Sequence, residues 1–499
     1  ANQSFERLLA ARQSLTTTDS LPWRVRTLLE KGDEWLPLAS SGLKLAPHLA
    51  RLLGSDGPRT YLILAQNEDE IRATGGFLTG AGLLEVEHGR IQQFDFQDAN
   101  HVDNWQEKPY AVPPEPLQQF MGLDMFLFRD ANFWPDFPTS AEKAMALFVY
   151  GQDSPPIDGV IAIDQRFLQL LIEAIGPINV PDSDIVINKK NIIDQIHQAW
   201  AINDDQTVRD WIFNRKAFFG AFASAIRSRL EADFGAIDPI LSAQNVFDAA
   251  ESKSLQIYLR EPEEAAVMQD LGWDGRVSPP VRGDFLMVVD SNLGYSKANF
   301  YTKREVDYQV ELKEDGTAAA SLNLIYTHTG TQGDGRCVQD LSYYSDRPQY
   351  LDGANRCFWN YVRVYAPSGS RLITATSHPI AGDTLVTGAD WPGLATTLDE
   401  RPDLTTFANY FVVPQGGLET ISFQYQLPAI IQNNNGVFTY ELTIHKQAGQ
   451  EAESHTIVII LPPGKTLINA TPIPAKVDGN RIDFAFELKT DTVISLTFQ

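Results

Sequence analysis

The apolar run Tyr61–Ala65 leads straight into a polar turn that carries Gln66, Asn67 and Arg72 and closes on Gly75-Gly76. In an open α/β sheet, ligands bind outside the carboxyl ends of the strands. An arginine at such an end offers a planar, permanent cation with five donors, suited to a phosphate or a carboxylate. Glycines beside it allow close backbone approach. A second stretch, Phe128-Arg-Asp-Ala-Asn-Phe-Trp-Pro-Asp-Phe-Pro138, sets Arg129, Asp130 and Asp136 among aromatic rings. Arg129-Asp130 reads either as part of a ligand site or as an ion pair that fixes the following loop. Phe126, Phe128, Phe133, Trp134 and Phe137 read either as the lining of a lipid-tail pocket or as core. Asp158-Gly159 reads as a turn and Asp164 as a helix cap.

Other chemistries lack their residues. The eight histidines are scattered, with no pair at metal-ligand spacing, so no zinc site is expected. No Gly-x-Ser-x-Gly elbow and no Walker loop occurs. The net charge is -24, and no basic stripe of a nucleic-acid binder is visible. The first 60 residues differ, with 8 Lys/Arg against 6 Asp/Glu (+2), a hint that this end lies near an anionic surface. There is no run of 18 apolar residues and no signal peptide. The opening Ala1-Asn-Gln-Ser reads as a mature or trimmed form, with any membrane anchor lying upstream.

The elements that must position these residues follow from pattern. At 499 residues the chain calls for two to four domains. Residues 1–55 read as an N-terminal helical segment, with a helix start at Ser20-Leu-Pro22 and a breaker cluster at Gly54-Ser-Asp-Gly-Pro58. Residues 56–284 alternate strands and helices, an α/β pattern: a strand at 61–65, a hairpin of 82–87 and 90–96, helices at 140–150, 165–175, 191–202 and 208–230, and a strand at 159–163. Residues 285–499 switch to period-2 patterning, which predicts all-β structure in one or two sandwiches of the immunoglobulin-like kind. Cys337 and Cys357 are the only cysteines. Bridged, they would contribute roughly 3 kcal/mol; the alternative is two reduced, buried thiols.

Several motifs together resemble a bacterial domain-of-unknown-function family, number 4012. They are Gln66-Asn67 with Arg72-Ala-Thr-Gly-Gly76, Arg129-Asp-Ala-Asn132 with Pro135-Asp-Phe-Pro138, and Asp158-Gly-Val-Ile-Ala-Ile-Asp164 with Glu173-Ala-Ile-Gly-Pro177. To these are added Gly272-Trp-Asp-Gly275, Asp290-Ser-Asn292 with Lys297, and His445-Lys-Gln447 with Gly449. That family is distantly similar to the LytR-CpsA-Psr phosphotransferases of bacterial envelopes, which transfer a polyprenyl-pyrophosphate-linked glycan to peptidoglycan. Phe96-Gln-Asp98 stands where those enzymes carry Pro-Arg-Asp, and Arg209-Asp210 with Arg215-Lys216 resembles their arginine-rich run. Gln97 departs from the arginine of that motif, and Gly75-Gly76 stands where a metal-binding aspartate is usual.

The resemblance implies a LytR-CpsA-Psr-like α/β domain outside the cytoplasm, at the cell surface or as a membrane-anchored ectodomain, and there the cysteines pair. If the chain is an enzyme, it is a Mg²⁺-dependent glycopolymer phosphotransferase. Asp98, Asp130 and Asp136 would then supply oxygen ligands to Mg²⁺, and Arg72 and Arg129 would work beside Asp98 and Asp130 at the reacting phosphates. Gln66, Asn67, Arg209, Arg215 and Lys216 would complete the ligand site. The implied partner is a lipid-linked glycan or cell-wall polymer. The alternative is a non-catalytic cell-surface structural or assembly protein whose β-domains contact other copies. With Arg72 in an open cleft, Arg72→Ala would weaken binding of a polyprenyl phosphate and leave the melting temperature nearly unchanged.

Overall fold

The computed structural model describes residues 22–180, 185–199, 220–230, 237–333, 336–339 and 350–499, with residues 5, 7, 8 and 10–12 near the N-terminus. Helix α1 (Trp23–Leu52) starts after Pro22 and carries Pro37 and Pro47 in its interior. An interior proline removes a helix hydrogen bond and kinks the axis. The end of α1 leads into a five-stranded sheet of β1 (Arg59–Asn67), β2 (Phe77–Glu87), β3 (Arg90–Asp98), β4 (Gly159–Ile163) and β5 (Leu255–Leu259), ordered β3-β2-β1-β4-β5. Only β1 and β4 run parallel; the other neighbours are antiparallel.

The β2–β3 hairpin turns at His88-Gly89, both at positive φ, as a two-residue turn between right-twisted strands requires. Its first strand starts at Phe77, five residues before the expected 82. Gly80 and Gly82 hide that start from a pattern reading, yet each leaves room for the ring of Phe96, which a Cβ would strike. Around the sheet lie α2 (Glu115–Met121), α3 (Phe137–Gly151), α4 (Gln165–Ile175), α5 (Ile192–Ala199), α6 (220–230), α7 (Pro239–Glu251) and α8 (Pro262–Leu271). Asp164 caps α4 by accepting from Phe167 N at 2.9 Å. Asp158 accepts from Thr60 N at 2.8 Å and pairs with Arg59, as a turn residue tying two strands.

From Asp284 onward the described chain is β-rich, and its only α-helix among the described residues is Tyr350–Ala354. Two sheets face each other. One holds seven strands in the order 371–375, 418–427, 318–328, 302–312, 453–460, 481–488, 476–478. The other orders 396–398, 404–413, 358–367, 284–289, 437–445, 492–498, 467–471, with 432–434 beside 437–445. The sheets are continuous because two pairs run parallel, Asp284–Val289 with Val437–His445 and Thr302–Leu312 with Glu453–Ile460. A single apolar core runs between them, from Leu286 and Val306 to Ile444 and Phe498. Cys337 and Cys357 form the expected disulfide.

The joint between the two halves explains a departure from alternation. Strand Ala318–His328 alternates buried and half-buried residues, as one face in a core predicts. Strands Asp284–Val289 and Phe358–Pro367 are buried at every position. Their inner faces supply Leu286, Val288, Val362 and Val364 to the sandwich core. Their outer faces meet the α/β half: Trp359 and Tyr361 join Phe120, Phe126 and Phe133, and Phe285 and Met287 join Ala73. Phe126 and Phe133 are therefore part of this interlayer core, while Phe128 and Phe137 pack beneath the sheet.

Candidate functional site

Strand β1 delivers the turn singled out in the sequence into that joint. Asn67 accepts from Asp69 N at 3.0 Å, donates to the Tyr350 hydroxyl at 3.0 Å and accepts from Gln165 Nε2 at 2.8 Å. Gln66 donates to Thr74 O at 2.9 Å and accepts from Asn132 Nδ2 at 3.0 Å. Gly76 lies on the backbone of Asn67 so closely that a Cβ would collide with it, a Cβ on Gly75 would meet the Gln66 side chain, and one on Gly449 would strike the Gly75 backbone. The glycines thus serve close packing within the turn and against Gly449.

Arg72 is only 3% exposed. Its guanidinium donates to Glu70 Oε1 at 3.1 Å and to the carbonyl of Asn292. Lys297 Nζ holds the other oxygen of Glu70 at 2.7 Å. Both cations stand over the Phe77 ring, at 5.3 and 5.6 Å. Gln447 Nε2 donates to the carbonyls of Arg72 and Asp290 at 3.2 and 2.8 Å. Asn292, Lys297, Gln447 and Gly449 therefore grip the Arg72 turn from the sandwich side. Arg72 faces no open cleft, so the expectation of an unchanged melting temperature on its removal no longer follows.

Beside it runs a chain of contacts through the other predicted residues. Asp98 accepts from Asn100 N and Nδ2 at 2.9 and 2.8 Å. Asn100 accepts from Arg129 at 2.9 Å, and Arg129 Nε lies 3.7 Å from Asp130. Burial pushes the Asp130 carboxyl up, against the opposing pull of Arg129 and Arg72. Both Asp130 oxygens, Asn132 Oδ1 and Arg72 Nε are buried without a hydrogen-bond partner. Asp136 is elsewhere: it caps α3 through Thr139 and accepts from Val277 N at 3.1 Å and Arg401 at 3.3 Å. Arg209, Arg215 and Lys216 lie outside the described residues. Among the described residues no group of three His, Cys, Asp or Glu side chains could hold a metal ion.

Pattern reasoning missed the partners that matter most here. Glu70 was within reach, two positions before Arg72, whereas Lys297 lies 227 positions from Glu70 and leaves no spacing signal. The Asp69 cluster is equally non-local. Asp69 binds the Tyr350 hydroxyl, His197 Nε2 at 3.1 Å and Gln165 Nε2 at 3.1 Å. Burial opposes its ionisation, yet the hydrogen bonds from His197, Tyr350 and Gln165 hold its carboxyl below the usual range.

A second buried ionic group braces the sandwich. Arg304 pairs with Asp290 at 2.7 Å and Glu453 at 2.6 Å, and Tyr326 and Asn360 each donate to Asp290 at 2.7 Å. His455 sits near it, held down to about 4, chiefly by burial. A folded-state value below the unfolded one means that the unfolded chain binds more protons. Stability is therefore lost as pH falls from 6.5 toward 4. His455→Gln should reduce the loss between pH 7.5 and 4 by on the order of 3 kcal/mol, read from denaturant melts at both pH values.

The α/β half also contains a cavity of about 550 Å³ between α4, α6 and α7, lined by Phe167, Leu171, Ile175, Leu230, Ile237 and Val246, among others. Asn245 and Ser242 reach its wall, but their polar groups are committed to Leu170 O and Asp238 O. At its edge Arg229 donates to Ile175 O at 2.8 Å. No described carboxylate pairs with it.

Residues 56–199 match the model of a family described as "Protein of unknown function (DUF4012)". That stretch runs from β1 through α5 and contains the Arg72 turn and the Arg129-Asp130 loop. No curated protein matches the chain. Among solved structures, a Legionella pneumophila protein described as nutrient binding is 10% identical over 44% of this chain and 71% of its own, at a TM-score of 0.27. The Bacillus subtilis transcriptional regulator yvhJ is 12% identical over 43% and 76%, at 0.24. An M1 zinc metallopeptidase from Deinococcus radiodurans is 7% identical, at 0.22, and the chain spans 43% of its length. Similarities of this size assign neither a fold family nor an activity.

Proposed function

We propose that this chain is an extracytoplasmic bacterial envelope protein that binds a lipid-linked glycan by the hydrocarbon of its polyprenyl carrier. The observation that carries this reading is the 550 Å³ apolar cavity with Arg229 at its edge. An isoprenoid chain gains about 0.8 kcal/mol per buried methylene in such a space, and the guanidinium of Arg229, which donates to Ile175 O through Nε, has further donors that suit the adjoining phosphate. The Cys337–Cys357 bridge supports an oxidising compartment. The finer fold reading, a LytR-CpsA-Psr-like α/β half with an immunoglobulin-like β half, rests on the sequence resemblance.

Binding is favoured over transfer because Arg72 is spent on Glu70 and on the carbonyl of Asn292. Transfer retains one observation, the buried Asp130 carboxylate without a hydrogen bond. Of the three aspartates proposed for Mg²⁺, Asp98 is bound to Asn100 and Asp136 to Thr139, Val277 and Arg401. The described donor set fits Mg²⁺ poorly. The assembly alternative draws on Ile468, Ile473 and Val477, exposed on or between the edge strands 467–471 and 476–478.

Leu171→Trp fills the cavity from a half-buried position. It should weaken binding of a fluorescent polyprenyl phosphate by about tenfold or more, equivalent to one or two lost methylene burials, with the melting temperature nearly unchanged. Equal affinity of the two proteins would end the cavity reading.

A further inference from the structure

Asp284 opens the strand Asp284–Val289 and is wholly buried. Its Oδ2 accepts from the Tyr308 hydroxyl at 2.9 Å and from the Tyr440 hydroxyl at 2.7 Å, and its Oδ1 accepts from Phe285 N at 2.8 Å. Two phenols and one amide N–H act on this carboxyl, and no cation is among them. Other buried carboxylates of the sandwich are paired: Asp290 and Glu453 share Arg304, and Glu400 holds Arg363. A buried carboxylate without a counter-charge is costly. Burial therefore pushes Asp284 up to about 6, against the hydrogen bonds from Tyr440 and Tyr308. Burial also pushes up Tyr308, Tyr425 and Tyr440, which keeps all three neutral. Asp284 is thus the member of this group that changes charge between pH 8 and pH 4.

The cluster joins the two sheets. Tyr440 lies on Val437–His445, the parallel neighbour of Asp284–Val289, and Tyr308 comes from Thr302–Leu312 of the facing sheet. Tyr425, on Leu418–Leu427 of that same facing sheet, stacks on Tyr308 with ring centroids 6.4 Å apart. The Tyr425 hydroxyl is buried without a hydrogen-bond partner, although that of Tyr308 is its neighbour. The ionised carboxylate is an acceptor only, so it draws the protons of Tyr308 and Tyr440 to itself and leaves none for Tyr425. We infer that Asp284, Tyr308, Tyr440 and Tyr425 form a proton-operated lock between the two sheets, tighter when Asp284 is protonated than when it is ionised. The protonated carboxyl donates to the Tyr308 oxygen, and the Tyr308 hydroxyl is released to donate to Tyr425. One proton removes a buried charge and satisfies the idle hydroxyl. Both strands of the lock run into the joint with the α/β half. Asp290 follows the first and Gln447 the second, and Gln447 holds the carbonyls of Asp290 and Arg72. The lock uses neither the cavity nor its ligand.

The folded-state value lies above the ordinary 3.8, so the folded chain binds more protons than the unfolded one between them. The stabilisation is full below 3.8 and is lost as pH rises through about 6. Denaturant melts of the full chain at pH 8 and pH 5, followed by a probe in the sandwich, test this. Asp284→Asn keeps an acceptor for the tyrosines and adds a donor, so it copies the protonated state at every pH. The ratio of the parent's unfolding constant to that of Asp284→Asn should fall about tenfold from pH 8 to pH 5. Groups common to both chains, His455 among them, cancel in that ratio. Tyr425→Phe should melt like the parent at pH 8, where its hydroxyl is idle, and should unfold severalfold more readily than the parent at pH 5. A parent-to-Asp284→Asn ratio that is the same at both pH values overturns the inference. So does a Tyr425→Phe chain whose difference from the parent does not change with pH.

Discussion

Arg72→Met is expected to lower the unfolding free energy by about 3 kcal/mol, the lower end of the 3–5 kcal/mol typical of breaking a buried ion pair. The lower end applies because Lys297 still neutralises Glu70 from the other side, at 2.7 Å. What is lost is the bond to Glu70 Oε1 and the donor to the Asn292 carbonyl, both in a site without water access. Since Asn292 belongs to the sandwich and Glu70 to the α/β half, the loss should loosen one half from the other. Denaturant melts followed by two probes, one in each half, should separate into two transitions. A loss below about 1 kcal/mol, coupled with loss of polyprenyl phosphate binding, would return Arg72 to the role of a ligand clamp.

Arg304→Met should cost more, about 5 kcal/mol at neutral pH, because it strands two carboxylates, Asp290 and Glu453, in the core of the sandwich joint. Burial already pushes Glu453 up, and Arg304 is the main opposing influence. Without that cation the folded-state value rises further above the unfolded one. The variant's stability should then be highest in acid and fall as pH rises through the folded-state value. The sign is opposite to that of His455, which separates the two effects in one pH series. Adding Asp290→Asn and Glu453→Gln should recover most of the loss, since neither amide carries a charge and the one at position 290 keeps an acceptor oxygen for Tyr326 and Asn360. If Arg304→Met melted like the parent at pH 8, the buried triad would not be holding the joint.

Much of the architecture was written in local pattern. Period-2 alternation announced the sandwich, as in Ala318–His328. Breakers at Gly54–Pro58 bounded α1, and Asp164 read as the cap it is. Side-chain alternation and capping depend on neighbours a few residues away, so a single sequence displays them. The Cys337–Cys357 pairing was expected for a different reason: the resemblance implied a place outside the cytoplasm, and no other cysteine competes.

Tertiary structure decided what the polar motifs are for. The Arg72 turn, Asp290-Ser-Asn292 and His445-Lys-Gln447 stood out in the sequence as deliberate residues, but nothing in their spacing said that they face one another across two layers. Arg72 would look the same in a sequence whether it met a phosphate or Glu70, because both offer oxygens to the same planar donor. Only the pairing of Asp284–Val289 with Val437–His445 brings Gln447 over Arg72. The apolar cavity was hidden for the same physical reason. Phe167, Leu171 and Ile175 carry the spacing of any buried helix face, and only the separation of α4 from α6 and α7 leaves that face unfilled.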